Sequence, residues 1–178
     1  MGVPAKHSSF ALFALGVFAL DRGSKAWASA EIPLGDRLDV IEGFFYFVHV
    51  RNPGAAFGLF ADAAPELKAI AFSLAAALAL LVIVLHLQTL APRDRRVAAA
   101  LGMVSGGAVG NLVDRLPMLG GGEVIDFLHI DLWAGYPWPD FNIADVAIVL
   151  GVAGLIVDMV ARESAARASG IDVDESRA

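Results

Sequence analysis

The chain alternates between long apolar stretches and shorter polar segments. Four stretches are apolar enough to be helices in lipid, at about residues 9–29, 69–90, 97–115 and 142–161. A spanning helix needs about 20 consecutive, mostly apolar residues, and the second stretch provides them without one formally charged side chain. The pattern therefore predicts an all-α membrane protein with four transmembrane helices, in a single domain covering residues 1–165.

The first stretch also has features of a secretory signal, because Lys6 precedes a short apolar core. No small-x-small cleavage site follows that core. Instead Asp21, Arg22 and Lys25 come next. We therefore expect a retained helix.

The polar segments predict structure outside the bilayer. Residues 40–50 are rich in β-branched and aromatic side chains, which favours strands, and residues 51–54 (Arg-Asn-Pro-Gly) favour a turn. We expect a small β-rich cradle here, on the periplasmic side. Aromatic residues at 133–138 are typical of the headgroup level. The polar tail, residues 166–178, is expected to be disordered and cytoplasmic.

Composition narrows the class of protein. The apolar fraction is 57% and the mean hydropathy is +0.66, whereas soluble domains are roughly 45–50% apolar. The net charge of −6 argues against nucleic-acid binding. The absence of cysteine excludes disulfides and thiolate chemistry. The four histidines form no H-x-x-x-H pair, so no zinc site is predicted.

Basic residues in the segments that flank the spans indicate the orientation. The long segment between the first two spans also carries basic residues, but the compact group at 93–96 decides the assignment. Both termini are therefore predicted in the cytoplasm, and Asp126 and Asp145 on the outer side. The residues that set this orientation are Lys6, Arg93, Arg95, Arg96, Arg162 and Arg167.

Two aspartates flank the polar loop before the fourth span, Asp126 and Asp145, 19 positions apart. A carboxylate at a membrane boundary is costly to desolvate, so it is a functional hypothesis by default. A close pair shares one proton, so one member can deprotonate water while the other protonates a leaving nitrogen. Alternatively, Asp126 is a loop residue and Asp145 a charge favoured by a helix N-terminus. Spacing alone does not decide between these readings.

Further polar residues accompany the pair. Asn111 shares a helix face with Asp114 and Arg115, as Asn142 does with Asp145. Each amide could hold a peptide carbonyl or orient a carboxylate. Arg115 could instead anchor to phospholipid headgroups. The neighbouring glycines 102, 106, 107 and 110 predict close helix packing.

Two other groups have a structural alternative. Asp21 and Lys25 lie one helical turn apart and are expected to pair, in support rather than in catalysis. Residues 52–57 (Asn-Pro-Gly-Ala-Ala-Phe) could form a loop edge that an extended peptide approaches, or simply a tight turn. His49, His86 and His129 share no motif and receive no role.

Together these blocks resemble the bacterial lipoprotein signal peptidase (signal peptidase II) family. Five blocks occur in the family's order across about 125 of the 178 residues. One departure is a longer link at residues 119–122, which leaves the local path of the chain open. The matching blocks are residues 21–25, 52–57, 106–115, 124–127 and 141–145.

The resemblance implies a four-helix aspartyl endopeptidase of the bacterial inner membrane, with its site near the periplasmic face. It would remove signal peptides from prolipoproteins by cutting before a diacylglyceryl-modified cysteine, among membrane lipids and without a metal or cofactor. A monomer is the default expectation, because nothing in the sequence demands a partner. A β-rich cradle and a small extramembrane helix would lie within about residues 32–66. The implied site comprises catalytic Asp126 and Asp145; substrate-binding Asn52, Gly54, Asn111, Arg115 and Asn142; and supporting Asp21, Lys25 and Asp114.

Two rival classes use the same residues differently. A proton-coupled transporter would relay protons through the carboxylates, but it would need a polar stripe that residues 69–90 do not supply. A membrane scaffold would leave the asparagine and aspartate blocks without a purpose. A different intramembrane aspartyl protease would be expected to carry a Gly-x-Gly-Asp block, which the sequence lacks.

Overall fold

A computed structural model describes residues 4–54 and 64–168 of the chain. These residues form five helices, a three-stranded sheet and one 3-10 turn at Trp133–Gly135. In chain order the elements are α1 (Ala5–Glu31), β1 (Arg37–Ile41), β2 (Phe45–Asn52), α2 (Pro65–Thr89), α3 (Arg95–Arg115), α4 (Pro117–Gly120), β3 (Val124–Ile130) and α5 (Ile143–Ala168).

Three of the described helices, α2, α3 and α5, are long and apolar enough to cross a membrane. Helix α1 has a sufficient length of 27 residues, but it contains five charged side chains. The expected mainly helical architecture with a small sheet is therefore confirmed. The charged side chains of α1 are Lys6, Asp21, Arg22, Lys25 and Glu31.

Helix α3 is the centre of the bundle. The buried share of its apolar stretch is 67%, whereas the corresponding share is 11% in α2 and 17% in α5. Glycines allow this close packing: a Cβ atom on Gly106 would lie 2.5 Å from the backbone oxygen of Ala14 in α1. A Cβ atom on Gly107 would lie 2.5 Å from the backbone oxygen of Ala144 in α5. The predicted small-residue interface is confirmed, and it has two sides.

One end of the bundle gathers basic residues and is called the basic end below. Lys6 of α1 donates to the carbonyl oxygens of Leu87 at 2.9 Å and Leu90 at 2.6 Å, and so caps the last turn of α2. Arg162 of α5 pairs with Asp94, just before α3, at 3.1 Å. These contacts join α1 to α2, and α5 to the start of α3, at this end.

The sheet lies at the opposite end, called the sheet end below. Its strands are antiparallel in the order β1-β2-β3. The predicted strand region at 40–50 is confirmed, but a turn with Gly43 at φ +73° divides it into a hairpin. Ala28 and Ile32 pack with Phe127 in a buried cluster, which attaches the sheet to the end of α1.

Several boundaries differ from the sequence expectations. Asp126 lies in strand β3 rather than in a loop, because residues 124–126 pair with β2 and residues 124–127 are buried. Asn52 ends strand β2, so the predicted turn is limited to positions 53 and 54. Helix α5 continues to Ala168, so the expected disordered tail cannot begin at 166; the ion pair of Arg167 with Glu163, one turn earlier, supports these last turns.

Some expectations fall outside the described residues. The expected extramembrane helix lies in part on residues 55–63, as do the last three residues of the 52–57 motif. Residues 169–178 of the tail also lie outside. The four long helices otherwise begin and end within a turn or two of the apolar stretches, apart from the longer C-terminal end of α5.

The link between Arg115 and Asp126 follows a compact path. Helix α4 occupies its first half, and Gly121 and Gly122 follow with φ of +87° and +94°, which suits glycine. Arg51 of β2 donates to the carbonyl oxygen of Gly120 at 3.2 Å. The extra residues therefore form a small turn beside the sheet, and strand β3 enters in register with β2.

The glycine contacts give a stability prediction. Gly107→Ala should lower the free energy of unfolding by about 1–3 kcal/mol, the usual cost of overpacking, because the added methyl group meets the backbone of α5. Gly16→Ala in α1 is the matched control, since nothing lies within 4 Å of its Cβ position. Thermal unfolding in detergent should separate the two variants. Equal unfolding temperatures would contradict the proposed packing.

Candidate active site

A cavity of about 510 Å³ opens at the sheet end of the bundle. One part of its wall is polar and contains Asn52, Asn111, Arg115, Asp126, Asp140 and Asp145. The other part is largely apolar and includes Phe72, Val124, Trp138, Pro139, Phe141, Val146, Val149 and Leu150. A volume of this size suits an extended segment of a peptide or a small molecule.

Asp145 lies in the first turn of α5 and is held by a reciprocal cap. Its backbone N–H donates to Asn142 Oδ1 at 3.1 Å, and its Oδ2 accepts the backbone N–H of Asn142, also at 3.1 Å. This is the capping-box arrangement, with an acidic residue three positions after the N-cap. The helix N-terminus also favours a negative charge at this position. The free orientation of the Asp145 side chain is thereby restricted.

Asp126 lies on strand β3 and is only 2% exposed. Its Oδ1 accepts a hydrogen bond from the side-chain amide of Asn142 at 2.7 Å, and its Oδ2 accepts one from Asn52 at 2.8 Å. Burial raises the pKa of Asp126 to about 6, and the negative charge of nearby Asp145 adds to this. The Asn52 and Asn142 hydrogen bonds act in the opposite direction.

Asn142 connects the two aspartates. Its side-chain nitrogen donates to Asp126, while its side-chain oxygen and backbone N–H bind Asp145. The residue is fully buried. One asparagine therefore places both carboxyl groups at the same cavity.

Asn111 and Arg115 come from the last turn of α3. Asn111 donates to Asp145 Oδ1 at 2.8 Å. Arg115 donates to the carbonyl oxygen of Asn111 and lies over the ring of Phe72, 5.3 Å from its centroid. Its guanidinium group thus lines the cavity as a cation near both aspartates.

Gly54, two residues after the end of β2, lines one side of the cavity. Its φ is +98°, and a Cβ atom there would lie 2.6 Å from the ring of Phe72. Its N–H donates to Asn52 Oδ1 at 2.8 Å. This bond fixes the Asn52 amide so that its nitrogen points to Asp126.

A buried charged cluster lies behind the cavity, between α1 and α3. Lys25 pairs with Asp21 at 2.9 Å and with Asp114 at 2.7 Å, and all three side chains are fully buried. Arg22 also pairs with Asp114. Asp21 additionally accepts the backbone N–H of Ala144 in α5 at 3.1 Å. The expected Asp21–Lys25 pair is therefore present and reaches a third helix.

The structure brings the ten predicted site residues into one region, in two layers. Six line the cavity, Asn142 joins the two aspartates, and Asp21, Lys25 and Asp114 lie behind them. The aromatic and aliphatic walls were not predicted, because Phe72, Val149 and Leu150 look like ordinary membrane-helix residues in sequence.

His129 also gains a structural partner that its sequence context did not indicate. Its Nδ1 lies 2.5 Å from Asp140, and its Nε2 lies 3.3 Å from Asp131. The ring thereby ties strand β3 to the segment before α5. Among the described residues, no group of three or more His, Asp or Glu side chains is arranged to hold a metal ion.

The helices and the site together define a membrane protein in which two carboxyl groups, those of Asp126 and Asp145, line one cavity at the end of a helix bundle. The model of the signal peptidase II family (Peptidase_A8) matches residues 13–161. The chain therefore belongs to the signal peptidase II family, whose members are peptidases that remove signal peptides from prolipoproteins.

Curated relatives agree with this membership. A lipoprotein signal peptidase of Geobacter sulfurreducens is 42% identical over 149 residues, which cover 84% of this chain and 89% of the relative. One from Desulforapulum autotrophicum is 39% identical over 144 residues, with coverages of 81% and 86%.

Solved structures agree as well. A bacterial membrane enzyme determined by the in meso method at 2.3 Å resolution has a TM-score of 0.76 and 29% identity, covering 88% of this chain and 90% of its own. A second, at 1.9 Å, has a TM-score of 0.73, also with 29% identity, and covers 85% and 92%.

Proposed function

We propose that this chain is an aspartyl endopeptidase in which Asp126 and Asp145 form the catalytic pair. It cuts lipoprotein precursors immediately before a cysteine that carries a diacylglyceryl group. One observation carries this proposal: Asn142 hydrogen-bonds both carboxyl groups, so that they face one cavity. Two carboxyl groups and one water suffice for peptide hydrolysis without a thiol or an activated serine.

The reaction needs one ionised and one protonated carboxyl group. Asp145, ionised, takes a proton from water while the water oxygen bonds to the peptide carbonyl carbon. Asp126, protonated, polarises the carbonyl oxygen and then gives its proton to the leaving nitrogen as the C–N bond breaks. Transfer of the proton from Asp145 to Asp126 restores the starting state.

The surroundings of the two groups support this division of roles. Asp145 lies at a helix N-terminus, where backbone N–H groups and the helix dipole favour its negative charge. Burial raises the pKa of Asp126, so this group keeps its proton at a pH where ordinary aspartates are ionised. The cation of Arg115 is positioned to offset charge that develops on the substrate during the reaction.

The two walls of the cavity suit a lipid-anchored precursor. Asn52, Gly54 and Arg115 provide the polar groups for an extended peptide backbone. The apolar wall of α2 and α5 residues continues toward lipid and suits acyl chains. Because acyl chains gain about 0.8 kcal/mol per CH₂ buried, the labelled cysteine stays at the membrane, where this cavity would meet it.

The proposed topology has four spans in one domain, residues 1–165. Helix α1 is the first of these spans in chain order. It can enter lipid because its charges are neutralised or capped: Lys6 binds carbonyl oxygens, and Lys25 binds carboxylates. The basic end is then cytoplasmic by the positive-inside rule. Both termini would lie there, in the inner membrane of a bacterium, and the sheet end would face the periplasm. We propose a monomer surrounded by lipid, without a nucleic-acid partner.

The aspartate assignment predicts that Asp126→Asn and Asp145→Asn each lower cleavage by at least about 100-fold, the low end of the effect of a general acid or base. Each variant should insert and unfold like the parent protein. Asp131→Asn is the control, since Asp131 directly follows strand β3, which carries Asp126, but does not line the cavity. Release of the signal peptide from a purified precursor measures the effect. Near-parental cleavage by either cavity variant would refute the pair.

The substrate assignment predicts cleavage of a diacylglyceryl-modified precursor only. The same precursor without the lipid should remain intact, because its cysteine is not held in the bilayer. The two precursors are incubated with the protein in the same vesicles, and the products are separated by mass. Equal cleavage of both would remove the lipid requirement while leaving the aspartyl mechanism in place.

The raised pKa of Asp126 predicts the pH dependence. Asp126 must be protonated to act, so kcat/KM should fall as the pH rises through about 6. Asn52→Leu removes a hydrogen bond that favours the ionised form, so it should raise the pKa of Asp126 and move this limb to higher pH. Initial rates at constant ionic strength give the limb for each protein. A shift to lower pH would contradict the assignment of the acid.

A further inference from the structure

Lys25 uses all of its hydrogen-bonding capacity inside the protein. Its ammonium group has three N–H donors and no acceptor. The three partners are Asp21 Oδ2 at 2.9 Å, Asp114 Oδ2 at 2.7 Å and Asn111 Oδ1 at 2.8 Å. The side chain is fully buried. No donor remains for a substrate, so Lys25 cannot act by direct contact.

The third partner leads to the reacting group. Asn111 accepts from Lys25 with its oxygen and donates to Asp145 Oδ1 with its nitrogen, at 2.8 Å. A carboxamide rotated by 180° has nearly the same shape but exchanges donor and acceptor. The rotated amide would place its NH₂ group against the ammonium and its oxygen against the carboxylate. Lys25 excludes that orientation, because an ammonium cannot accept a hydrogen bond.

The same locking occurs at the other two amides of the site, but by different means. The amide of Asn52 is fixed by the backbone N–H of Gly54, and that of Asn142 by the backbone N–H of Asp145. The Asn111 amide has its oxygen fixed by a charged side chain, the ammonium group of Lys25. Its orientation therefore depends on one residue of another helix.

We propose that Lys25 is a positioning residue for the reaction: it fixes the Asn111 amide as a hydrogen-bond donor to Asp145. This donor stabilises the ionised carboxylate that takes the proton from water. The inference rests on the proposed function, because it takes Asp145 as the base. It assigns to Lys25 a part in the chemical step beyond the neutralisation of Asp21 and Asp114.

The test removes Lys25 without leaving a surplus of buried negative charge. Asp21→Asn/Lys25→Met is compared with Asp21→Asn alone. The introduced amide oxygen can still accept the Ala144 N–H, and Arg22 still pairs with Asp114. The kcat of the double variant should be about 10- to 100-fold lower than that of Asp21→Asn. This is the range seen when a residue that orients a metal ligand, without binding the metal, is mutated. KM for the lipidated precursor and the unfolding temperature should stay close to those of Asp21→Asn.

A double-mutant cycle shows whether the effect passes through Asn111. Asn111→Leu is added to both proteins. In the Asp21→Asn protein, Asn111→Leu should lower kcat. In its presence, Lys25→Met should change kcat by less than about threefold, since the donor is already lost. The inference would be overturned if the effects of Lys25→Met and Asn111→Leu on kcat were additive. It would also be overturned if either substitution alone left the kcat of Asp21→Asn unchanged. If Lys25→Met fails to fold, an unchanged kcat in Asn111→Leu still overturns the inference.

Asp145→Asn is assayed alongside to separate the two proposals. If it cleaves at the parental rate, the proposed function falls and the inference falls with it. If it is inactive while Asp21→Asn/Lys25→Met keeps the kcat of Asp21→Asn, only the role of Lys25 is overturned. Loss of kcat in both, with KM retained in the Lys25 variant, supports both.

Discussion

The hydrogen bonds of Asn142 are the contacts on which the site depends. This residue lies where strand β3 and helix α5 meet, and its three polar groups reach both aspartates. One of those aspartates belongs to the sheet and the other to a membrane helix. The relative position of the two carboxyl groups therefore depends on how the sheet attaches to the bundle. The buried contact of Ala28 and Ile32 with Phe127 provides that attachment.

Much of this arrangement could be predicted from the sequence. The apolar stretches predicted the long helices to within a turn or two, apart from the end of α5, because lipid-facing surfaces need continuous apolar side chains. The glycines of α3 predicted close packing. Capping of α5 by Asn142 also follows a local rule, since an N-cap asparagine with an acidic residue three positions later recurs at helix starts. These features depend on residues near one another in the chain.

The features that could not be predicted depend on distant parts of the chain. Strand β3 was not predicted, because the short sequence at residues 124–127, beside a glycine turn, does not specify a partner strand. Its partner β2 lies over 70 positions earlier in the chain. The apolar cavity wall was missed because Phe72 and Leu150 resemble lipid-facing residues. Likewise, the spacing of Asp21 and Lys25 predicted their pair, but nothing local indicated the bonds to Asn111 and Ala144.

Helix α1 is fastened by an ammonium group near each end. Lys6 binds the carbonyl oxygens at the end of α2, and Lys25 binds carboxylates and an amide at the far end of the bundle. The 19 residue steps from Lys6 to Lys25 span about 28 Å at about 1.5 Å per step, close to the roughly 30 Å of a hydrocarbon core. Any axial slide of α1 would break both sets of bonds at once. In bilayers of different thickness, this protein would therefore tilt as a unit rather than shift its helices past one another.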